Sequence, residues 1–179
     1  ENANLIHVLS VDDPEQITAA LKFSVNDAEG RIFPDTYLFP SGTSDVDFLL
    51  RAIQTQETVL EDEWQEREEG LPYQSPYEAL IMASIIEKET ALPEEREEIA
   101  GVFVRRLKAN MKLQTDPTVI YAMSTNFDGN IRRKDLFIDS PYNTYLYKGL
   151  PPTPIAMPGL AALTATLHPE NSHYLYLMT

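Results

Sequence analysis

Residues 79–90 read ALIMASIIEKET, an almost unbroken apolar run that ends abruptly in charged side chains. A helix this apolar is buried on most of its sides, so we expect residues 79–86 to form a core helix. Continuing that helix places Glu89 on the same face as Met82 and Ile85, because residues four and seven positions apart lie together. The run therefore predicts a carboxyl held against apolar surface where the helix leaves the core.

Glu89 is the candidate general acid of this chain. An apolar setting disfavours the charged form of a carboxyl, so its pKa rises towards the range in which it donates protons near neutrality. Glu87 is the weaker candidate, since it follows Ser84 on a different face of the helix. The alternative is that residues 87–89 form the solvated end of a buried helix, which is the more common setting for glutamate. Spacing alone leaves both interpretations open.

The segments around this helix predict further helices and two short strands. Proline or capping residues start helical patterns, and glycine, proline or basic residues end them. The basic residues Arg105, Arg106 and Lys108 suit the negative end of one such helix. The predicted helices cover residues 13–21, 44–70, 93–108, a stretch starting near Asp116 or Thr118, and 160–167. The predicted strands lie at Phe33–Phe39 and Tyr174–Met178.

Two polar loops supply candidate ligand contacts. The first, Leu113–Tyr121, carries Gln114, Thr115 and Asp116, and Asp116 either caps the following helix or faces a ligand. The second, Asp139–Gly159, has too many prolines for regular structure. Its Tyr and Asn side chains offer flat rings and amide hydrogen bonds of the kind that polar ligands need. A stiff connector is the alternative interpretation of the second loop.

Composition excludes several classes of function. The chain has 14 basic and 28 acidic residues, a net charge of -14 that opposes binding to phosphate backbones, so no nucleic-acid partner is expected. Without cysteine there are no disulfides, no thiol catalysis and no thiolate metal sites. No metal is expected, because His7, His168 and His173 are far from the acidic motif and only the last two could pair. No phosphate-cradling glycine loop is evident, and we expect no cofactor.

Several short motifs occur together in a recognisable order and spacing. They are ASIIEKET at 83–90, VFVRRL at 102–107, LQTDPTVIY at 113–121, YNTY at 142–145 and GLPP at 149–152. This combination resembles the YceG-like (MltG) family of endolytic murein transglycosylases. The similarity runs from about Phe33 to the C-terminus and is weaker over the first thirty residues.

The resemblance implies an α+β fold, with a mostly helical, lysozyme-like transglycosylase core and short β-strands. Residues 1–179 would form a single catalytic domain, without the family's N-terminal membrane helix and LysM-like subdomain and truncated at the C-terminus. The full-length protein would be anchored in the inner membrane by a single span. Its catalytic domain would then lie in the periplasm or the extracytoplasmic space.

The resemblance also implies a reaction and its residues. The family's catalytic glutamate corresponds to Glu89, which would cleave the β-1,4 bond between N-acetylmuramic acid and N-acetylglucosamine and leave a 1,6-anhydro end. Peptidoglycan glycan strands would be the substrate, and peptidoglycan synthases are expected partners. The candidates for orienting the sugars are Gln114, Thr115, Asp116, Tyr142, Asn143 and Tyr145.

Two other functions remain open at this stage. A muramidase-type hydrolase would use Glu89 as its acid, with Asp116 or Asp139 activating water. A non-catalytic domain that binds peptidoglycan as a scaffold would keep the Tyr and Asn loop and would not need Glu89. The first alternative would leave reducing muramic acid ends, and the second would leave the strand uncut.

Overall fold

The computed structural model describes residues 5–10, 13–21 and 28–176, and its helices pack around one buried helix. The helices are α1 (Pro14–Leu21), α2 (Asp45–Glu66), α3 (Pro76–Glu89), α4 (Arg96–Lys108), α5 (Asp116–Met123) and α6 (Leu160–Leu167). Short 3-10 turns lie at Pro93–Glu95, Ser124–Asn126 and Asp135–Phe137. The strands are β1 (Leu5–Ile6) and β2 (Thr43–Ser44), which pair in parallel. The α+β prediction is confirmed.

Helix α3 is the core helix that its apolar run predicts. The Ser75 side chain caps its start by accepting a hydrogen bond from the backbone N–H of Glu78 at 3.3 Å, and Pro76 occupies the first turn. All eight residues from 79 to 86 are buried. The helix ends at Thr90, whose backbone is extended. Glu89 is therefore the last helical residue, at the point where the chain leaves the core.

Helices α2, α4, α5 and α6 pack against α3 and complete the core. Helix α6 packs against α2, α3 and α4, and its Leu163 and Leu167 are fully buried. The 3-10 turn that starts at Pro93, the predicted start of this helix, leads directly into α4. Helix α4 buries Val102 and Phe103. Helix α2 has Ser44 as its N-cap, in agreement with the predicted start, but ends at Glu66, four residues before the predicted end at Gly70. These helices hold α3 in place on several sides.

The predicted strand at Phe33–Phe39 is wrong. The segment Phe33–Phe39 has no regular secondary structure and joins no ladder, because Pro34 within it and Pro40 directly after it lack the N–H groups that pairing needs. It is held instead by the Phe33 N–H, which donates to the Ala52 carbonyl at 3.2 Å. Its Tyr37 and Phe39 rings pack edge-on against Phe48.

The predicted C-terminal strand is absent as far as the structure describes that segment. Tyr174, Leu175 and Tyr176 are irregular, and the remaining part of the predicted strand, 177–178, lies outside the described residues. The backbone carbonyls of Tyr174 and Leu175 accept hydrogen bonds from arginine side chains of α4, which replace a strand partner. Among the described residues, no helix is both long and apolar enough to cross a bilayer.

Candidate active site

Glu89 lies half-buried at the C-terminal end of α3. The apolar residues on its face, Met82 and Ile85, are fully buried, as the sequence predicted. Burial raises the pKa of the Glu89 carboxyl, because the charged form loses hydration that the neutral form does not need. The carboxyl therefore keeps its proton to higher pH than an ordinary glutamate, which is what a general acid requires.

Three neighbours modify the effect of burial on Glu89. The Thr115 hydroxyl donates a hydrogen bond to Oε2 of Glu89 and lowers its pKa, and the positive charge of Arg106 also lowers it. The negative charge of Asp116 raises it. Burial remains the largest influence on this pKa, and the net shift is upward. Burial and Asp116 thus favour the protonated carboxyl of Glu89, and Thr115 and Arg106 favour its carboxylate.

Glu87, the other acid of the motif, has a structural task. Its Oε2 accepts a hydrogen bond from the Gly159 N–H at 3.1 Å, directly before α6, and its Oε1 lies 3.8 Å from Nη2 of Arg96. A carboxylate at the positive end of a helix is stabilising. Glu87 therefore ties α3 to α6 and α4, while Glu89 faces the polar loops.

The loop after α4 brings Thr115 to Glu89 through a strained backbone. Gln114 has a φ of 53°, a left-handed conformation that costs a non-glycine residue about 1–3 kcal/mol. Its N–H donates to the Thr144 carbonyl at 3.2 Å, and the Thr115 N–H donates to the Thr144 hydroxyl at 3.2 Å. The Thr118 and Thr144 hydroxyls lie 2.8 Å apart. A buried threonine cluster thus joins the two predicted ligand loops.

Asp116 and Tyr145 form a pair at the open side of the site. The Tyr145 hydroxyl donates to Oδ1 of Asp116 at 2.6 Å, and burial, this hydrogen bond and the charge of Glu89 raise the pKa of Tyr145. Asp116 is exposed and is the first residue of α5, whose N-cap position belongs to Thr115. Asp116 is therefore not the N-cap residue of α5, and its carboxylate instead accepts the hydrogen bond from Tyr145. The Gln114 side chain, two residues before Asp116, is exposed.

Asn143 and Tyr142, two further candidates, support the second loop from within. The Asn143 side chain is completely buried and donates to the carbonyls of Leu136 and Ile138 at 3.1 and 2.8 Å. Its Oδ1 accepts from the Tyr145 N–H at 2.9 Å. Because every polar atom of this amide is engaged inside the protein, Asn143 positions Tyr145 and presents no group to a ligand.

Tyr142 is likewise engaged within the protein. Its hydroxyl lies 2.7 Å from the Thr153 hydroxyl, and its ring centroid lies 4.8 Å from that of Tyr121. Of the six sugar-orienting candidates, the structure therefore groups Thr115, Asp116 and Tyr145 with Glu89. It leaves the Gln114 side chain exposed. Tyr142 and Asn143 hold the loop in place.

The sequence interpretation missed Arg106. We expected its charge to serve the end of α4, but its side chain is only 7% exposed and points into the protein. Its Nη1 donates to the Leu113 carbonyl at 2.5 Å. The missed signal is helical spacing, because Arg106 follows Val102 and Phe103 by four and three positions and so shares their buried face.

The two acids of the hydrolase alternative have partners of their own. Asp139 is exposed, and its Oδ1 accepts a hydrogen bond from the Tyr147 hydroxyl at 2.5 Å. Asp116 is paired with Tyr145. Within residues 5–10, 13–21 and 28–176, no three His, Asp or Glu side chains are grouped so that they could hold a metal ion.

Fold and site together define an α+β domain with a half-buried carboxyl of raised pKa at the end of its central helix. Comparison with known proteins gives the family. The YceG-like family model matches residues 3–179, and the chain belongs to this family.

Relatives and a solved structure agree with this assignment. The chain is 38% identical over 182 residues to an endolytic murein transglycosylase of Bacillus subtilis, covering 99% of this chain and 49% of the relative. An endolytic murein transglycosylase of Streptococcus pneumoniae is 33% identical, covering 86% of this chain and 29% of that protein. A crystal structure of a yceG-like protein from Listeria monocytogenes matches with a TM-score of 0.74 and 36% identity, covering 94% of this chain and 59% of that one. The chain thus spans half or less of the length of these curated relatives.

Proposed function

We propose that this chain is the catalytic domain of an endolytic lytic transglycosylase that cleaves peptidoglycan strands, with Glu89 as its only acid and base. One observation carries the proposal: a half-buried glutamate with a raised pKa receives a hydrogen bond from Thr115 at the end of the core helix. The names of the B. subtilis and S. pneumoniae relatives point to the same activity.

A single carboxyl suffices for this reaction because the substrate supplies the nucleophile. Glu89 starts protonated and donates its proton to the glycosidic oxygen as the bond to C1 of N-acetylmuramic acid breaks. The resulting carboxylate then accepts the proton of the C6 hydroxyl while that oxygen attacks C1. A 1,6-anhydro ring closes, no water is consumed, and Glu89 ends as it began. Ordinary glycosidases instead need a second carboxylate for water or for covalent attack.

The neighbours of Glu89 suit these two stages. Burial keeps the carboxyl protonated for the first stage, and the Thr115 hydrogen bond and the Arg106 charge favour the carboxylate of the second. Because Thr115 is itself buried, its hydroxyl fixes the orientation of the carboxyl. Asp116 and Tyr145 would contact the sugars or their N-acetyl groups, since both interact electrostatically with Glu89. The exposed Gln114 side chain, in the same loop as Thr115, would add a further contact. Asn143 and Tyr142 would act indirectly, by holding the loop.

The substrate also sets the cellular context of the proposal. Murein strands lie outside the cytoplasm, so the domain would act in the periplasm or extracytoplasmic space. A single-pass anchor in the inner membrane would place it where new strands are made, and synthases would be its neighbours. Endolytic cleavage there would terminate or trim nascent strands.

Product analysis tests the proposal. Purified glycan strands are incubated with wild type and with Glu89→Gln, and the ends are identified by mass spectrometry. We expect anhydro ends from wild type, lighter by one water than reducing ends, and no cleavage by the variant.

Each alternative function gives a different result in the same assay. Reducing ends, lost on Asp116→Asn or Asp139→Asn, would establish the hydrolase. Wild type that binds strands without cutting them would establish the scaffold.

A further inference from the structure

The C-terminal segment 170–176, here called the strap, lies along α4 and is held mainly by its backbone. The Glu170 N–H donates to the Glu97 carbonyl at 2.9 Å. Arg105 donates from Nη1 to the Glu170 carbonyl at 3.0 Å and from Nε to the Tyr174 carbonyl at 2.6 Å. The strap is thus fixed to the outer side of α4 before it reaches the next arginine.

Arg106 joins the strap to the loop that carries Thr115. Its Nε donates to the Leu175 carbonyl at 2.7 Å, and its guanidinium carbon lies 5.0 Å from the centre of the Tyr176 ring. On the other side, its Nη1 donates to the Leu113 carbonyl at 2.5 Å. A planar guanidinium with fixed donor directions holds two backbones at a set separation better than a lysine could.

The hydrogen bond to the Leu113 carbonyl lies where the backbone turns towards Glu89. This carbonyl belongs to the residue directly before Gln114, whose left-handed φ of 53° turns the chain so that Thr115 reaches Glu89. A backbone conformation of this kind persists only where surrounding contacts over-determine it. Arg106 supplies one of those contacts from the α4 side, and Thr144 supplies the other from the second loop.

We propose that Arg106 is a positioning residue that fixes the Thr115 loop against the strap and faces the Glu89 carboxylate with a permanent positive charge. The kinetic part of this inference rests on the proposed function, because it assigns Arg106 to the stage in which Glu89 is a base. The charged and titratable groups that face Glu89 are Arg106, Asp116 and the Tyr145 hydroxyl. Among these three, Arg106 alone favours the deprotonated carboxyl.

Arg105 is a matched control for Arg106. It is the adjacent residue of α4 and also holds strap carbonyls, but its hydrogen bonds stay with the strap and reach neither the Thr115 loop nor Glu89. Arg105→Met and Arg106→Met remove the same charge and similar strap contacts. A difference between the two variants therefore isolates what Arg106 does at the site.

The first readout needs no substrate. The Glu89 carboxyl is titrated by carbon-detected NMR in wild type, Arg106→Met and Arg105→Met. We expect the Glu89 pKa to rise further in Arg106→Met, because the favourable positive charge is gone, and to stay at the wild-type value in Arg105→Met. Equal Glu89 titrations in all three proteins would overturn the inference, whatever the strand products are.

The second readout is the pH profile of cleavage with kcat and KM separated. We expect Arg106→Met to lose about tenfold or more in kcat, with the high-pH limb displaced upward and KM less affected. Arg106→Lys keeps the positive charge but cannot hold the Leu113 and Leu175 carbonyls at the same time. Its Glu89 titration should therefore resemble that of wild type, while kcat still falls. Should the methionine variant fail to fold, Arg106→Gln, which also removes the charge, replaces it in the titration, with Arg105→Gln as its control. Full kcat in Arg106→Lys would overturn the positioning role.

The two proposals fail separately. If wild type releases no anhydro ends while Glu89 still titrates differently in Arg106→Met, the proposed function fails and the Arg106 coupling stands. If anhydro ends form and both arginine variants lose kcat equally, the Arg106 inference fails and the proposed function stands.

Discussion

The Thr115 hydroxyl donates to Oε2 of Glu89, so a buried side chain of one loop sets the orientation of the carboxyl that ends α3. This donor is most valuable when Glu89 is charged, because hydrogen bonds to ionised groups are about twice as strong as neutral ones. The contact links the geometry of the loop to the acidity of the glutamate.

Thr115→Val keeps the shape of the side chain and removes the donor. We expect the Glu89 pKa to rise above its wild-type value and kcat/KM to fall about 10- to 100-fold, the loss of about 1.5–3 kcal/mol from one charged hydrogen bond. Steady-state cleavage across a pH series measures both effects. Thr115→Ser retains the hydroxyl and should stay within a few-fold of wild type. Equal losses in the two variants would indicate that packing, not donation, is what Thr115 provides.

Glu89→Gln should separate activity from stability. Glu89 has a folded pKa raised above its ordinary value of 4.5, so the folded state holds the proton more tightly than the unfolded chain. Wild type therefore loses stability as pH rises from the unfolded pKa through the folded pKa, and the glutamine variant avoids this loss. At neutral pH we expect the variant to be inactive and as stable as wild type, or more stable by about 0.5–2 kcal/mol. Thermal unfolding at acidic and neutral pH measures the difference, which should vanish at low pH.

Glu87→Gln is the matched control for that experiment. It loses a carboxylate beside Arg96 and the start of α6, so it should cost about 0.3–1 kcal/mol and leave cleavage in place. An active Glu89→Gln protein with a lowered melting temperature would make Glu89 a structural residue instead.

Asn143→Ala should destabilise the second loop. It leaves the Leu136 and Ile138 carbonyls and the Tyr145 N–H without their partner, and each buried unsatisfied group costs about 1–3 kcal/mol. We expect a loss of about 2–4 kcal/mol in denaturant unfolding, with weaker strand cleavage as Tyr145 shifts. Asn126→Ala, at an exposed asparagine, should change neither quantity. Unchanged stability with lost strand binding would return Asn143 to the ligand-contacting residues.

Gly101→Ala should push the strap away from α4. A Cβ at Gly101 would lie 2.5 Å from the Glu170 carbonyl oxygen and 2.8 Å from Nη1 of Arg105. Forcing atoms into such a contact costs about 1–3 kcal/mol, which outweighs the roughly 1 kcal/mol that alanine gains in a helix. Gly159→Ala meets its nearest atoms at 3.7 and 3.9 Å and should change unfolding by less than about 0.5 kcal/mol. Similar melting temperatures for the two variants would show that the strap moves away from α4 with little loss in the free energy of unfolding.

The sequence could predict what depends on local pattern. The apolar run of α3 and the helical spacing of Met82, Ile85 and Glu89 were enough to place the acid, because a helix fixes its own faces. The bounds of α1 and α6 followed from proline, capping and stop residues in the same way. These helices can be predicted without knowing which distant residues they contact.

What depends on pairing over long distances could not be predicted. The segment Phe33–Phe39 has the composition of a strand, but whether a strand forms depends on a partner, and α2 takes that place. Asn143 illustrates the same limit at the site, because an amide in a polar loop can face inward or outward with identical local sequence. The role of Glu87 likewise depends on Gly159, far along the chain.

Arg105 and Arg106 of α4 bind the strap mostly through its backbone carbonyl oxygens, which every amino acid carries. Most side chains of the strap are therefore free to vary among variants of this protein, provided that the path of the chain is kept. Proline is acceptable wherever the carbonyl alone is used, but not at 170 or 172, whose N–H groups are also bonded. A library randomised over 170–176 should accordingly return folded proteins of diverse composition, with selection concentrated on the aromatic ring at 176 that meets Arg106.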